Sequence, residues 1–542
     1  MFPRAIRFTI LSMLVLAILA TACAQPTPET IVEKVETTVE VEVPVEVTKE
    51  VPVEVLVTST PSMEHELTVA LGSLPNTLTA NLTPSLSAET VMRQLFDALL
   101  HYDERTGEFV PYLAESWELI NGDTWRFHLR KDVVFHNGEP FDARSVKTTF
   151  DFIMDPDGQS TVRERLPELA EYTIVDDYTV DFRMDPPVGV FLYGFDRAQM
   201  LPPEYFAEVG PEAFADAPVG TGPYKFKEWR RDDFVTLERF DDYWGPKSAV
   251  KTVTFLHRPE GVTRVAALEA GEVDVAYLLP PEDVPALLNK GLNVYTGYIG
   301  QALTVWLSPQ APPLRDQKVR QAIQYAVDVE SIWKSIAGGY GRLLDCQMGG
   351  PDGFGYNPDL KPYPYDPDKA RELLAEAGYP NGFTVTGTAT MGRYYRDKEA
   401  MQAIVGYLAD VGITLELEFL ESGAWLDKLR AGNLNPVWDC GMTYAGRDPG
   451  MQLGTRLDWP EQNKSGEYDD PVFKEMWYEQ HTTSDPETRR KLIQELHVYV
   501  CDQAYGIFLY QIPAIYGISP RVQGLEFGTS YNMELANAVI AP

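Results

Sequence analysis

VPYLAESWELINGDTWRFHLRKDVVFHNGEPFDARSV, running from Val110 to Val146, carries the reading of the fold. Its centre, TWRFHLR, alternates, so Trp125, Phe127 and Leu129 share one face, the period of a half-buried strand. VVFHNG follows, and Asn137-Gly138 is a dipeptide that tolerates the backbone of a tight turn. Asp142 then stands before a segment in which Val146, Phe150 and Ile153 recur at helical spacing, where its carboxylate can accept a first-turn N–H. Strand, turn and capped helix in one stretch point to a mixed fold rather than a helical bundle.

Working outward, SAETVMRQLFDALL offers Ser87 as an N-cap with Val91, Leu95, Ala98 and Leu99 on one face, and TIVDDYTVDFRM pairs two alternating runs around Asp176-Asp177. From Glu66 to Phe255 the texture is therefore α+β. From Pro313 to about Ala504 it becomes α/β. YDPDKARELLAEAG begins at Asp366-Pro367, keeps Ala370, Leu373, Leu374 and Ala377 on one face and stops at Gly378. DKEAMQAIVGYLADVG feeds the strand ITLELEF, and Asp485-Pro486 opens another helix. Strand, helix, strand order implies a largely parallel sheet with covering helices. After Tyr505 the chain returns to strand texture in GIFLYQIPAIYGIS.

A chain of 542 residues is too long for one simple core. The expected arrangement is a first lobe made of residues 64–305 and 509–542, interrupted by a second lobe over 306–508. The two crossings, near Leu303–Ser308 and Phe508–Gln511, would form a hinge beside an interlobe cleft, with backbone changes at Ser308 or Gln511.

Residues 1–22 read as a secretory signal: Arg4 and Arg7 precede the apolar run Phe8–Ala20, which is short for a bilayer span, and small residues lead to Cys23. That ending resembles the lipobox of bacterial lipoproteins, with Ala20 where leucine is usual, and implies lipidation of Cys23. Residues 23–63 then read as a tether. Valine alternates with glutamate there, but Pro44 and Pro52 each remove a ladder donor and EVPVEV recurs eight residues apart, leaving register unspecified. Self-repulsion among its glutamates favours an extended, solvated chain.

Net charge is −34, and residues 1–22 contribute Arg4 and Arg7 but no acid, so the exported form is more acidic still and unsuited to nucleic acid. Beyond Cys23 lie Cys346, Cys440 and Cys501, from which one disulfide and one buried thiol are expected, the pairing left open.

Four segments occur in order: the opening stretch, PVGTGPYKFKEW with RFDDYWGP, RDQKVRQAIQYAVDVESI, and YDPDKARELLAEAGYPNGF. Together they resemble solute-binding protein family 5, the extracytoplasmic oligopeptide-, dipeptide- and nickel-type receptors of ABC importers. The resemblance spans nearly everything after the tether. It implies a two-lobed type II periplasmic-binding-protein fold that closes over a small solute and delivers it to a membrane permease. A monomer, anchored by lipid on Cys23, is expected at the outer face of the cytoplasmic membrane or in the periplasm.

The resemblance also points to site residues. In peptide-binding relatives an aspartate three residues before an acidic-Pro pair holds the ligand's α-ammonium; counting back from Asp448-Pro449 reaches Ala445. A buried ammonium without a counter-charge is costly. Either another carboxylate substitutes, with Asp448 as one candidate and a turn role as its alternative, or the ligand lacks a free amino terminus. Dipeptide-binding relatives place an arginine before a tyrosine in a strand-to-helix loop, matched with a one-residue shift by Arg393 and Tyr394. Arg447 could serve an anionic group. Trp425, Trp438, Tyr444 and Tyr510 offer flat or amphipathic faces to sugars or varied ligands, with a core role as the alternative for each. In the first lobe, Asn76 and Thr77, and Thr221 and Gly222 in VGTGPY, match loops that face the cleft in relatives, although glycine there could simply permit a turn.

Enzyme signatures are missing: no GxSxG, HExxH, GxxxxGK[ST] or GxGxxG occurs, and the seven histidines are scattered. DPDG at Asp155 opens like a calcium loop but lacks the spaced ligands that follow, so a turn is expected. Neither cofactor nor metal is expected. The alternatives carried forward are an oligosaccharide receptor of the same family, a sensing lipoprotein, and a secreted glycoside hydrolase using a carboxylate pair.

Overall fold

The structure is a computed structural model that describes residues 65–541, apart from 83–85, 104–107, 167, 188–191, 444–447, 451–452, 454–469 and 530–531. The expected signal segment, Cys23 and the tether lie outside these residues. Residues 61–542 form one compact unit. Among the described residues no helix is long and apolar enough to cross a membrane.

The opening stretch folds as its periodicity requires. Strand Thr124–Leu129 pairs antiparallel with Ala114–Leu119 and with Thr179–Met184, which in turn pairs with Leu169–Asp176. Phe127 and Leu129 are buried, Trp125 partly so, and helix Ala143–Met154 covers them with Val146, Phe150 and Ile153. Asp142 caps that helix by accepting the N–H of Arg144 at 2.8 Å, while Ser145 answers toward the Asp142 N–H. At Asn137-Gly138 the chain turns, Gly138 taking φ 88°. Ser87 is a correction: the helix spans Leu86–Leu95, so Ser87 lies within its first turn rather than at the cap. The backbone ladder, not the residue type, sets where a helix begins. Ala98 and Leu99 fall past its end and are buried instead by strand-like contacts, Ala98 bridging Gln199.

Among the described residues the main sheet has eleven strands, one of them the short Arg342–Leu343 paired with Gly506–Ile518 off the main order. One side runs Ile413–Leu420, Phe383–Thr390, Val437–Thr443; the other runs Val275–Ala276, His65–Leu71, Val250–His257, Phe234–Arg239, Tyr224–Arg230. Between them lie two long antiparallel strands, Asn293–Leu307 and Gly506–Ile518. Phe383–Thr390 is parallel to both its neighbours, and helix Asp397–Asp410 connects it to Ile413–Leu420, the strand-helix-strand unit read from the sequence.

The two long strands belong to two cores. Ile299 and Ile512 pack with Leu67, Val253 and Tyr516, whereas Leu303, Leu509 and Tyr510 pack with Ile323, Met401 and Ile404. The change falls where the pairing register shifts, between Tyr298 and Ala302. A bulge interrupts the ladder and bends a strand, and a second register shift follows between Leu303 and Thr304. Ser308 lies further along, its N–H donated to Pro436 O at 2.8 Å. Gln511 lies level with Ala302, at the junction itself.

A disulfide joins Cys346 to Cys501, and Cys440, outside that bond, is buried. DPDG is a turn in which the Asp155 carboxylate accepts the N–H of Asp157 at 3.0 Å.

Candidate functional site

Strands Phe383–Thr390 and Val437–Thr443 run parallel, so their carboxyl ends open on the same edge, where the loop 391–396 leads into helix Asp397–Asp410. Ligand sites in α/β sheets form at such edges because loops and helix N-termini converge there. Arg393 stands in that loop. Its Nε donates to Tyr394 Oη at 2.9 Å and its Nη1 to Ser422 Oγ at 2.5 Å. The guanidinium also lies 5.3 Å from the Tyr394 ring centre and 5.4 Å from that of Trp425. Among the described residues it forms no ion pair with a carboxylate. A partly buried cation framed by aromatic faces and held by neutral acceptors keeps its charge available.

Behind it, Trp425 lies tilted against Trp438 with ring centres 6.3 Å apart, both in a buried core with Trp306, and the indole N–H groups of both are buried without a partner among the described residues. Tyr394 lies across strand Val437–Thr443 at Gly441, where a Cβ would sit 2.3 Å from Cε1 of the tyrosine ring. Glycine is thus required for the ring to lie flat on the strand. Burial pushes the Tyr394 hydroxyl well above its ordinary pKa. Tyr394 and Tyr395 each pack against both cores described above, so this loop sits at the seam between them.

The loop is held from below. Asp397, 1 % exposed, accepts the N–H groups of Gly392 at 2.9 Å, Arg393 at 2.9 Å, Tyr394 at 3.0 Å and Lys398 at 2.8 Å. Thr390 Oγ1 donates to it at 2.8 Å and also lies 2.5 Å from the buried Asp439. Sequence reading passed over Asp397, Asp439, Ser422 and Gly441; an acid and a glycine inside the apolar run VWDCGMT were the available signals.

Contacts also join residues expected in different lobes. Arg396 donates from Nη2 to Glu282 Oε1 at 2.6 Å, its Nη1 being held by Ile336 O at 3.2 Å. His481 Nε2 lies 2.7 Å from Glu168 Oε1, the histidine 5 % exposed and stacked on Trp477 at 4.6 Å.

The other candidates fall elsewhere. Tyr510 is fully buried in the second core beside Asp397, its hydroxyl without a partner among the described residues. Asp448 is committed to structure: it binds Arg489 through both oxygens, at 2.5 and 3.0 Å, and accepts the Gly450 N–H at 2.9 Å. A carboxylate so neutralised has little left to offer an ammonium. Tyr444 and Arg447 lie outside the described residues. Asn76 is exposed with its carbonyl bound by Arg231, and Thr77 Oγ1 accepts the Thr79 N–H at 3.1 Å. Thr221 is buried beside Asp97. A Cβ on Gly222 would meet Gln94 O at 2.6 Å, so this glycine serves close approach, not a left-handed turn. The sequence-read residues brought together are therefore Arg393, Tyr394, Trp425 and Trp438.

A separate cavity of about 220 Å³ is lined by Asp97, Tyr112, Tyr243, Trp244, Asn532 and Glu534 among others. Burial pushes Asp97 up to about 6, although hydrogen bonds from Trp244, Thr221 and Tyr112 oppose the shift. Among the described residues no cluster of potential metal ligands occurs.

Comparison with known proteins follows the same lines. The family described as bacterial extracellular solute-binding proteins, family 5 Middle, matches residues 108–457. The dipeptide-binding protein of Escherichia coli strain K12 is 29% identical over 469 residues, covering 79% of this chain and 86% of its own. The glutathione-binding protein GsiB of Pectobacterium atrosepticum is 30% identical over 381 residues, covering 68% and 72%. Among solved structures, the periplasmic binding protein DppA of Helicobacter pylori in complex with the peptide STSA superposes with a TM-score of 0.75 at 26% identity, covering 88% of this chain and 98% of its own.

Proposed function

Because the chain belongs to the bacterial extracellular solute-binding proteins of family 5, we propose that it is the extracytoplasmic substrate-binding subunit of an ABC importer, capturing a peptide-like solute that carries a carboxylate. Arg393 carries this reading: a cation framed by Tyr394 and Trp425, with no carboxylate partner among the described residues, at the carboxyl edge of the parallel strands. The names of the relatives support it, since one binds dipeptides, one glutathione, and one holds the peptide STSA. Ala445 stands where peptide-binding relatives keep their ammonium-binding aspartate, and Asp448 is already paired, so recognition of the amino end is weak or absent. The halves would close about the bulge between Tyr298 and Ala302 and the facing residues Tyr510–Ile512, stabilised by a ligand that touches both. Lipid on Cys23 and the tether would keep this body near its permease, and the site performs no reaction.

Thermal unfolding of the purified chain with dipeptides tests the proposal, because a ligand bound only by the native form raises its melting temperature. Free-acid dipeptides and their N-acetyl forms are expected to stabilise, and C-terminal amides are not. Equal stabilisation by amides, or stabilisation by oligosaccharides alone, would remove Arg393 from the carboxylate role.

A further inference from the structure

Asp439 is fully buried in the strand Val437–Thr443. Its Oδ1 accepts the Thr390 backbone N–H at 2.9 Å, and its Oδ2 lies 2.5 Å from Thr390 Oγ1. That same hydroxyl lies 2.8 Å from Asp397 Oδ2. A hydroxyl has one hydrogen to give. Asp397 already accepts four backbone N–H groups, two on each oxygen, so neither oxygen is placed to carry a hydrogen of its own and the Thr390 hydrogen goes to Asp397. The short contact on the other side then needs a hydrogen from Asp439, which therefore stands as a neutral acid donating to Thr390.

The surroundings agree. Burial is the largest influence on Asp439 and, with the charge of Asp397, pushes it up to about 6, although hydrogen bonds from Thr390 oppose the shift. Facing it from helix Asp397–Asp410 are Asp397 itself, with Lys398 and Glu399 following; the loop before the helix brings Arg393, Tyr394, Tyr395 and Arg396. Tyr510 of strand Gly506–Ile518 lies beside Asp397, Cys440 follows Asp439 on its own strand, and strand Asn293–Leu307 sets Val305 opposite, which cannot titrate.

We propose that Asp439 is a positioning residue for ligand capture: as a neutral acid it completes a hydrogen-bond chain through Thr390 and Asp397 to the amides of Gly392, Arg393 and Tyr394, and losing its proton to solvent breaks that chain and weakens capture. The capture half rests on the reading of Arg393 as the partner of the ligand's carboxylate. Once both acids are ionised, two negative charges face one hydroxyl, and the loop gives way. Capture is then stronger below about pH 6 than above it.

The test compares wild type, Asp439→Asn and Asp439→Leu at pH 5 and pH 8. It uses hydrogen exchange of the unliganded chain over residues 390–398, corrected for intrinsic rates, and calorimetric titration with the dipeptide Met-Leu. In wild type, protection and affinity should both fall from pH 5 to pH 8 by about tenfold, the worth of one hydrogen bond. The asparagine keeps a donor on Thr390 at either pH, so both readouts should stay level; the leucine variant should be low at both. An asparagine variant with the wild-type pH dependence, or a leucine variant with wild-type protection at pH 5, overturns the chain. A wild type that shows the exchange pattern but does not bind Met-Leu overturns the capture role instead.

Discussion

Replacing Asp97 by asparagine should make the protein more stable at neutral pH by an amount that disappears in acid. Asp97 is 1 % exposed and accepts the indole N–H of Trp244 at 2.9 Å, yet burial outweighs its hydrogen bonds and lifts its pKa from 3.8 to about 6. An acid whose folded value lies above its unfolded value binds its proton more tightly in the folded chain. Stability is therefore greatest below about pH 4, declines as pH rises from 4 to 6, and stays low above that. A shift of about two units corresponds to about 3 kcal/mol between the fully protonated and fully ionised limits, of which about 2 kcal/mol falls between pH 4 and pH 6. Asp439 shifts in the same direction, to about 6, but titrates in both proteins and cancels from their difference. For Asp196 burial alone would raise the value, but Arg93 and Arg197 outweigh it and hold the carboxyl at about 2, so its contribution is lost only as pH falls below about 4. Urea unfolding followed by tryptophan fluorescence, at intervals from pH 4 to pH 8, gives the stability difference between Asp97→Asn and wild type. A constant offset, from imperfect bonding of the new amide, is irrelevant; the difference should climb by about 2 kcal/mol between pH 4 and pH 6. A flat difference across the window, or one that falls, would show that Asp97 is not held in a medium that disfavours its charge.

Three further outcomes are expected. Gly441→Ala forces the Tyr394 ring off its strand and should cost about 1–3 kcal/mol in thermal unfolding, with dipeptide affinity lost alongside; an unchanged protein would mean the ring is not seated there. Glu168→Gln removes the charged partner of the buried His481, a contact between the two halves, and should expand the unliganded protein in small-angle scattering; superimposable profiles would count against a cross-half contact. Serine at both Cys346 and Cys501 opens a link across 155 residues and should lower stability by about 2–5 kcal/mol without changing the ligand preference, as paired unfolding and binding measurements would report.

Local order was legible in the chain because it arises from near neighbours. The alternation of Trp125, Phe127 and Leu129, the caps at Asp142, Asp366 and Asp485, and the strand-helix-strand run ending in ITLELEF each depend on a few adjacent residues, and each formed as read. The loop holding Arg393 and Tyr394 was legible through resemblance. Partners remote in sequence were not. Asp448 could be a ligand residue or a turn residue until Arg489 was found against it, 41 positions later. Trp425, Trp438 and Tyr510 have amphipathic side chains that serve equally in a core or a cleft, and only packing shows that all three are buried, Tyr510 among aliphatic residues and the two tryptophans in a core with Trp306, where Trp425 meets the Arg393 guanidinium. The pairing of Cys346 with Cys501 and the hydrogen-bond chain from Asp439 depend on strands and helices brought together by burial of their apolar faces. Proximity of that kind is a property of the assembled core, and no local pattern encodes it.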